Sequence, residues 1–404
     1  MPAQTAVDTR RATVILVAMA TSTFLFVTVE SLPSGLLTLM APDLGRTTSE
    51  IGLLVTAYAL VVLVSSVPLA WATSRIPRRW VLSACCGVAA VATLWAALAP
   101  TYEQIMAARL VTGLAQALFW VAVVPATIGL FPPIVRGRVM SRLAVGNSLA
   151  PVLGVPLGTW LGELTSWRVT FAAVAVVSAV VMVIVLVLFP TVAPRAGGAA
   201  VAPHPSGRRF GFQLVATALV VTGAFATITF ATQYLQDVSG FTQSDIPALL
   251  LLQGGAGVVG AIVVGRYLDR YPAAAVIIGC SLYGVGLLGL WTFGANPAAA
   301  IFFLAVTGLS FSTVPPVLSH RVMLVAPRGT TMAQAVSSSV FNLGIAGGSA
   351  LGALLVAVVG VQVVPLVSAA LVLAGLGVVL AEERLNPPLG SVVERVEDAV
   401  AHES

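Results

Sequence analysis

Long apolar runs separated by short polar joints dominate the sequence. A helix needs about 20 apolar residues to cross the roughly 30 Å hydrocarbon core of a bilayer. Twelve runs of that length are predicted to be membrane-spanning helices: 13–36, 50–71, 79–98, 104–128, 141–162, 168–190, 210–236, 246–265, 273–293, 297–320, 333–356 and 360–380. The longest joint lies between the sixth and seventh runs. The pattern therefore predicts an all-α integral membrane protein with 12 transmembrane helices in two six-helix bundles.

The domain organisation follows from the same joints. The predicted parts are an N-terminal six-helix bundle (1–190), a linker (191–209), a C-terminal six-helix bundle (210–381) and a tail (382–404). Composition agrees, because 58% of the 404 residues are hydrophobic and only 9% are charged, whereas soluble domains carry about 25% charged residues. The chain cannot cover a water-facing surface.

Arginine placement predicts the orientation. The sequence contains no lysine, and its arginines concentrate before span 1, after the even-numbered spans and in the linker. The opposite joints hold only Arg46 and Arg168 beside several acids. Because positive charge is retained on the inner side, both termini and the linker are expected to be cytoplasmic, in a multi-pass protein of the cell membrane. The net positive charge of the chain thus reflects membrane topology, and no nucleic-acid partner is expected.

The two halves resemble each other in sequence. Residues 47–77 align without gaps on residues 242–272. Most matches are generic apolar pairs, but five are not: Ser49/Ser244, Glu50/Asp245, Ile51/Ile246, Arg75/Arg270 and Pro77/Pro272. Two parallel six-span repeats are an arrangement found in membrane transporters, with a substrate site at the repeat interface.

Five segments carry a family resemblance that covers nearly the whole chain. They are VESLPSGLLTLMAPDLGRTTSEIG (29–52), PLAWATSRIPRRWVL (68–82), RLVTG (109–113), GNSLAPVLGVPLG (146–158) and SWRVTF (166–171). Together they resemble the major facilitator superfamily, and within it the 12-span drug:proton antiporters of the sugar, nucleoside and chloramphenicol efflux branch. The segment 146–158 resembles the span 5 antiporter motif of those exporters.

The loop after span 2 departs from the family pattern. Ser74 replaces the usual aspartate and Pro77 the usual glycine, while the second copy keeps Asp269 but has Pro272. The resemblance implies a cytoplasmic gate, made of Arg75, Arg78, Arg79, Asp269 and Arg270. The alternative is that these arginines only retain the loop in the cytoplasm.

Glu30 and Arg109 are the only ionisable residues well inside the spans of the first half. Glu30 lies about 17 residues into span 1, or roughly 25 Å from the cytoplasmic edge. Arg109 lies near the outer end of span 4, which runs the opposite way, so the two depths nearly coincide. Because intramembrane charges are costly and usually functional, the two residues are predicted to be the proton-coupling pair. The alternative is a static structural ion pair.

Polar side chains at helical spacing predict a substrate cavity, since the resemblance implies that spans 1, 4, 7 and 10 line a central pathway. The predicted cavity residues are Thr23, Ser34, Gln116, Trp120, Asn147, Thr229, Gln233, Gln253 and Asn342. They are mostly neutral, which suits a neutral or zwitterionic polar solute.

Span 5 has a stripe of small residues. Gly146, Gly154 and Gly158 fall on one helix face, and Pro151 adds irregularity to the backbone. Such a stripe lets another helix approach closely. It serves either ordinary tight packing or the relative motion of helices during transport.

The resulting functional hypothesis is a secondary active exporter that exchanges protons for a small organic solute by alternating access. Its partners are the solute, protons and the lipid bilayer, and it is expected to act as a monomer without cofactor or metal. Its three histidines, His204, His320 and His402, lack metal-ligand spacing. Two alternatives remain: a proton-coupled importer of the same fold, and, less favoured, a non-transporting membrane enzyme.

Overall fold

The computed structural model describes residues 9–73, 75–128, 130–131, 136–191, 206–267, 272–325 and 330–385. These residues form helices joined by short turns, and the described part contains no strand. The helices are α1 (Thr9–Asp43), α2 (Thr48–Ala72), α3 (Arg78–Leu98), α4 (Tyr102–Ile128), α5 (Arg136–Leu149), α6 (Val155–Leu164), α7 (Trp167–Leu188), α8 (Gly207–Thr229), α9 (Ala231–Asp237), α10 (Ile246–Tyr267), α11 (Pro272–Phe293), α12 (Pro297–Phe311), α13 (Val314–Val325), α14 (Thr330–Val358) and α15 (Val364–Leu385). The predicted all-α membrane fold is confirmed.

The chain divides into two compact units, Met1–Gly197 and Gly198–Ser404. Ten segments in the described residues are long and apolar enough to cross a membrane. The two other predicted spans, the fifth and the tenth, are helical but interrupted. The observed ends also differ from the predicted ones, since α8 begins at Gly207 and α15 continues to Leu385.

The fifth span is interrupted by a π-helical turn at Ala150–Gly154, between α5 and α6. Pro151 and Pro156 have no N–H, so the carbonyls four residues before them lose their helical donors. The chain widens locally, and the Val155 N–H bonds the Ala150 carbonyl instead of continuing the α-helical pattern. The irregularity predicted from Pro151 is therefore a π turn.

The tenth span is interrupted between α12 and α13. The turn at Ser312 and Thr313 precedes two prolines, which cannot donate to main-chain carbonyls. Two side-chain hydroxyls bond main-chain carbonyls of the preceding turn, Ser310 Oγ donating to the Val306 carbonyl and Thr313 Oγ1 to the Ser310 carbonyl.

The sequence repeat has a structural counterpart at the starts of α2 and α10. Thr47 and Glu50 form a capping box, in which the Glu50 carboxylate accepts from the Thr47 N–H at 2.8 Å. Thr242 and Asp245 form the equivalent box, with the same bond at 2.8 Å. The matched acids therefore satisfy main-chain donors at two equivalent helix starts.

The glycine stripe of the fifth span packs against α1. A Cβ placed on Gly146 would lie 2.0 Å from the Ala20 carbonyl oxygen, and one on Gly154 would lie 2.1 Å from Thr28 Oγ1. On Gly158 it would lie 2.8 Å from the Leu32 side chain. At Gly146 the neighbour is the main chain of α1, whereas at Gly154 and Gly158 side chains of α1 fill the space that a Cβ would take. The close approach expected of the stripe is thus made with α1, the helix that carries Glu30.

Candidate functional site

Glu30 lies in the middle of α1, among residues that face neighbouring helices. Val29 and Leu32 on either side of it are buried, and only 9% of the Glu30 surface is exposed. Three residues further along, Pro33 interrupts the hydrogen-bond ladder of the helix. Because proline has no N–H, the Val29 carbonyl cannot receive its usual bond from residue 33.

Arg109 of α4 supplies the missing donor. Its Nη1 donates to the Val29 carbonyl at 2.5 Å, and its Nη2 donates to the main-chain carbonyl of Glu30 at 2.8 Å. The guanidinium is 1% exposed and lies over the Tyr58 ring, 4.3 Å from the centroid. Arg109 therefore braces α1 at the point that proline weakens, and Tyr58 offers its charge a cation–π contact.

The Glu30 carboxylate is held by neutral groups. Gln116 Nε2 donates to Glu30 Oε2 at 2.7 Å, and Tyr58 Oη donates to Gln116 Oε1 at 2.6 Å. Gln116 is 1% exposed and Tyr58 is fully buried. Three helices thus contribute to one network: α1 the acid, α4 the amide and guanidinium, and α2 the phenol.

This arrangement corrects one expectation about the pair. Glu30 and Arg109 lie close together, but the guanidinium bonds the main chain of α1. Among the described residues, no ion pair joins Arg109 to the Glu30 carboxylate. The sequence indicated that the two residues lie close together. It did not show that the carbonyl freed by Pro33 would bind the guanidinium in place of the Glu30 carboxylate.

A carboxylate with a neutral partner can gain or lose a proton without breaking an ion pair. The guanidinium keeps its two carbonyl bonds in either case, so the positive charge beside Glu30 is fixed in place. A buried acid in a membrane span is costly and usually belongs to a proton or ion pathway. The geometry is therefore suited to reversible protonation.

The other predicted cavity residues of the first unit are not gathered around Glu30. Thr23 is buried against α5, where its hydroxyl bonds the Ala20 carbonyl at 2.7 Å and the Leu143 carbonyl at 3.3 Å. Ser34 is buried on α1, Trp120 packs edge-on to Phe119, and Asn147 is exposed. Of the predicted set in this unit, only Gln116 joins the network.

The predicted cavity residues of the second unit make separate contacts. Gln233 Nε2 donates to Asp237 at 3.0 Å, Gln253 Nε2 to Thr307 at 3.4 Å, and Asn342 Nδ2 to the Ser338 carbonyl at 3.0 Å. The hydroxyl of Thr229 is buried without a hydrogen-bond partner. These residues do not form one hydrogen-bonded cluster.

In the second unit, mostly aromatic side chains occupy the positions equivalent to the Glu30 network of the first unit. Displaced by the 195 residues of the repeat, Glu30 corresponds to Phe225, Arg109 to Leu304 and Gln116 to Phe311. Phe225 and Phe311 contact edge to face with centroids 6.1 Å apart. At these equivalent positions, all of them described, charged side chains occur in the first unit and not in the second.

The predicted gate residues are only partly described. Arg75 is exposed, and Arg79 ties the start of α3 to the end of α7, donating to the Leu186 carbonyl at 2.8 Å and to Thr191 at 3.4 Å. Arg78 is half-buried. Asp269 and Arg270 lie outside the described residues.

Sequence reasoning missed Tyr58 and a second buried ionic cluster. Tyr58 sits in an apolar run, where a tyrosine gives no signal of a buried partner. In the second unit, Glu382 of α15 accepts from Arg209 of α8 and, at 2.5 Å, from Arg321 of α13. Arg321 and Glu382 are fully buried. Glu382 was expected to begin a tail, but α15 extends past it and buries it.

Comparison with known proteins agrees with this fold. The profile of the Major Facilitator Superfamily matches residues 19–333 and, in a second match, residues 214–399. A bacterial homologue of the human lysosomal transporter Spinster, in an inward-facing and unoccupied conformation, aligns with a TM-score of 0.72 at 14% identity, covering 93% of this chain and 98% of that one.

Two further solved structures have the same fold. The human organic anion transporter MFSD10 (TETRAN) aligns with a TM-score of 0.64 at 18% identity, covering 92% of this chain and 99% of that one. The nucleoside transporter NupG, in a mutant form, aligns with a TM-score of 0.69 at 15% identity, covering 91% of this chain and 100% of that one. At these identities the likeness concerns the fold.

Proposed function

Because the chain belongs to the Major Facilitator Superfamily, we propose that it is a secondary active transporter that exports a small organic solute in exchange for protons. The observation that carries the proton part is the buried Glu30 carboxylate, bonded to Gln116 at 2.7 Å. Its neighbour Arg109 bonds the main chain instead of the carboxylate. An acid so placed can titrate while the surrounding charge stays fixed.

The mechanism follows from access to Glu30. When the site opens to the more acidic outer side, Glu30 takes up a proton. When it opens to the cytoplasm, the proton is released and solute is bound for export. Each elementary charge that moves down the membrane potential contributes about 2.3 kcal/mol per 100 mV, which is enough to drive uphill export. Alternating access of this kind needs no cofactor.

The export direction and the drug:proton branch rest on segment 146–158, which resembles the span 5 motif of proton-coupled exporters. The stripe in that segment packs tightly on α1 through Gly146 and Gly154, so movement of the fifth span is transmitted to the helix that carries Glu30. The orientation rests on the arginine-rich joints, with both termini placed in the cytoplasm of a cell-membrane protein that acts as a monomer. A proton-coupled importer of the same fold is the alternative.

An efflux screen tests the proposal. The protein is expressed in a host that lacks its own exporters, and sugars, nucleosides and amphenicol-like drugs are each loaded into the cells. We expect faster efflux of at least one compound, abolished by an uncoupler. Accumulation of a compound in place of efflux would favour the importer. Efflux that persists with the proton gradient collapsed would contradict proton coupling.

A further inference from the structure

The hydrogen bonds between Tyr58 and Glu30 run in one direction. Tyr58 Oη donates to the oxygen of the Gln116 amide, and the amide nitrogen donates to Glu30 Oε2. The carboxylate sets the orientation of the amide, because a reversed amide would place its oxygen against an ionised carboxylate, and the phenol then holds the amide oxygen by donating to it. An ionised carboxylate only accepts hydrogen bonds, so the reversed arrangement would set two acceptors against each other.

The two carboxylate oxygens of Glu30 are not equivalent. Oε2 is occupied by Gln116, whereas no group in the described part of the chain bonds Oε1. Oε1 is also not among the enclosed polar atoms that lack a partner, which agrees with the 9% of the residue that remains exposed. In a neutral carboxylic acid the carbonyl oxygen still accepts. Oε2 can therefore keep its bond from Gln116 while Oε1 carries a proton.

The charged and titratable groups that face Glu30 are few. Within the described residues of the helices packed on α1, they are Arg109 of α4 and Tyr58 of α2. Neither bonds the carboxylate, because Arg109 donates to the carbonyls of α1 and Tyr58 donates to Gln116. Gln116 is thus the single direct side-chain donor to the carboxylate in this part of the chain.

We propose that Tyr58 and Gln116 are positioning residues for the proton step, and that the proton binds Glu30 Oε1. The inference rests on the proposed function, in which Glu30 carries the proton. A hydronium ion transfers its proton to Oε1 and leaves as water, and release reverses the step. Protonation turns the bond from Gln116 into one between neutral groups, which is about half as strong. Proton uptake therefore loosens the tie between α1 and α4.

Infrared spectroscopy tests this without knowledge of the solute. Spectra of the purified protein in lipid nanodiscs are recorded as the pH is changed, and the band of a protonated carboxylic acid that disappears in Glu30→Gln is assigned to Glu30. Gln116→Leu removes the donor to the charged form, so the pH midpoint of this band should move upward by about one unit or more. Its C=O frequency should also rise, because the carbonyl loses its hydrogen bond.

Tyr58→Phe keeps the ring under Arg109 and removes only the hydroxyl. It frees the amide to turn, so a smaller shift in the same direction is expected. Two matched controls lose a buried hydroxyl bond elsewhere: Thr112→Val, where the hydroxyl bonds the Ala108 carbonyl on its own helix, and Tyr234→Phe, where it bonds the Leu290 carbonyl. Both should leave the midpoint unchanged.

The outcomes separate the two proposals. If no band disappears in Glu30→Gln, Glu30 does not titrate and the proposed function loses its proton site. If the band is present but Gln116→Leu and Tyr58→Phe titrate like the two controls, the positioning role is overturned while Glu30 keeps its role. A shift in Gln116→Leu with an unchanged C=O frequency would contradict the assignment of Oε2 as the retained acceptor.

Discussion

Arg109 is predicted to stabilise α1 mainly by bonding the carbonyl that Pro33 frees. The perturbation is Arg109→Met, which keeps a long apolar side chain and removes both donors. The Val29 and Glu30 carbonyls then lose bonds of 2.5 and 2.8 Å. The Glu30 carbonyl keeps the N–H of Ser34 one helical turn on, whereas the Val29 carbonyl is left without a donor. A buried acceptor left unsatisfied costs about 1–3 kcal/mol, so the variant should lower the free energy of unfolding by about that amount.

Pro33→Ala provides the test of cause, because alanine restores the main-chain N–H at residue 33. α1 is helical across this position, so the restored donor points at the Val29 carbonyl. In the Arg109→Met background it should recover about 1–3 kcal/mol. In the parent protein that carbonyl already has the Arg109 donor, so the recovery should be absent. Any effect of removing the proline ring is common to both backgrounds and cancels.

The assay is a double-mutant cycle, with reversible unfolding of the purified protein in mixed micelles as the measured equilibrium. We expect a coupling energy of about 1–3 kcal/mol between positions 33 and 109. Effects of the two substitutions that add within about 0.5 kcal/mol would refute the claim that Arg109 stabilises α1 through the Val29 carbonyl. They would indicate that Arg109 acts through its charge near the Glu30 carboxylate.

Three other predictions concern packing, the second unit and topology. Gly154→Leu should insert normally but lose transport, because its side chain enters the contact with α1. Gly377→Leu is the control, since an added Cβ there has no neighbour within 4 Å, and it should transport like the parent. Equal transport by the two variants would contradict the packing role. Glu382→Gln removes the carboxylate that the buried Arg209 and Arg321 share, and leaves Arg321 with Glu383 alone. It should lower the free energy of unfolding by about 3–5 kcal/mol, whereas Glu163→Gln at a half-buried position should change it by under about 0.5 kcal/mol. Similar losses in the two variants would contradict this role of Glu382. Gly207→Cys should react with impermeant thiol reagents only after the membrane is opened. Labelling in intact cells would show that the orientation is the opposite of the one proposed.

The spans were predictable because hydrocarbon thickness fixes their length and tolerates few charges. Hydropathy found the interrupted fifth and tenth spans as readily as the straight ones, since composition does not depend on whether a helix is continuous. It gave no position for the interruptions. Pro151 indicated the first of them, but whether a π turn forms depends on which neighbouring groups can donate hydrogen bonds to the freed carbonyls.

The site was predictable in part. Glu30, Arg109 and Gln116 stood out because polar groups are rare in these spans. Tyr58 did not, since its ring suits an apolar helix and only the fold shows what its hydroxyl meets. Glu382 was missed for the opposite reason, because a charged residue at the end of the last span resembles the start of a soluble tail.

Thr23 shows the limit of periodicity in the same way. It shares a helix face with Glu30, but this face is broad enough to contact two neighbours, and Thr23 lies against the glycine stripe of the fifth span. Spacing along one helix tells which residues point the same way. It does not tell which neighbouring helix covers each turn.

The central claim is that Glu30 carries the transported proton. The most direct measurement compares uphill, pH-gradient-driven efflux with solute-for-solute exchange in vesicles that contain Glu30→Gln, using the solute identified by the efflux screen. Glutamine keeps the shape and the hydrogen bond from Gln116 but cannot titrate, so the variant should resemble the protonated state. We expect uphill efflux to be lost while exchange, which needs no proton release, continues. Uphill efflux at the rate of the parent protein would contradict the claim.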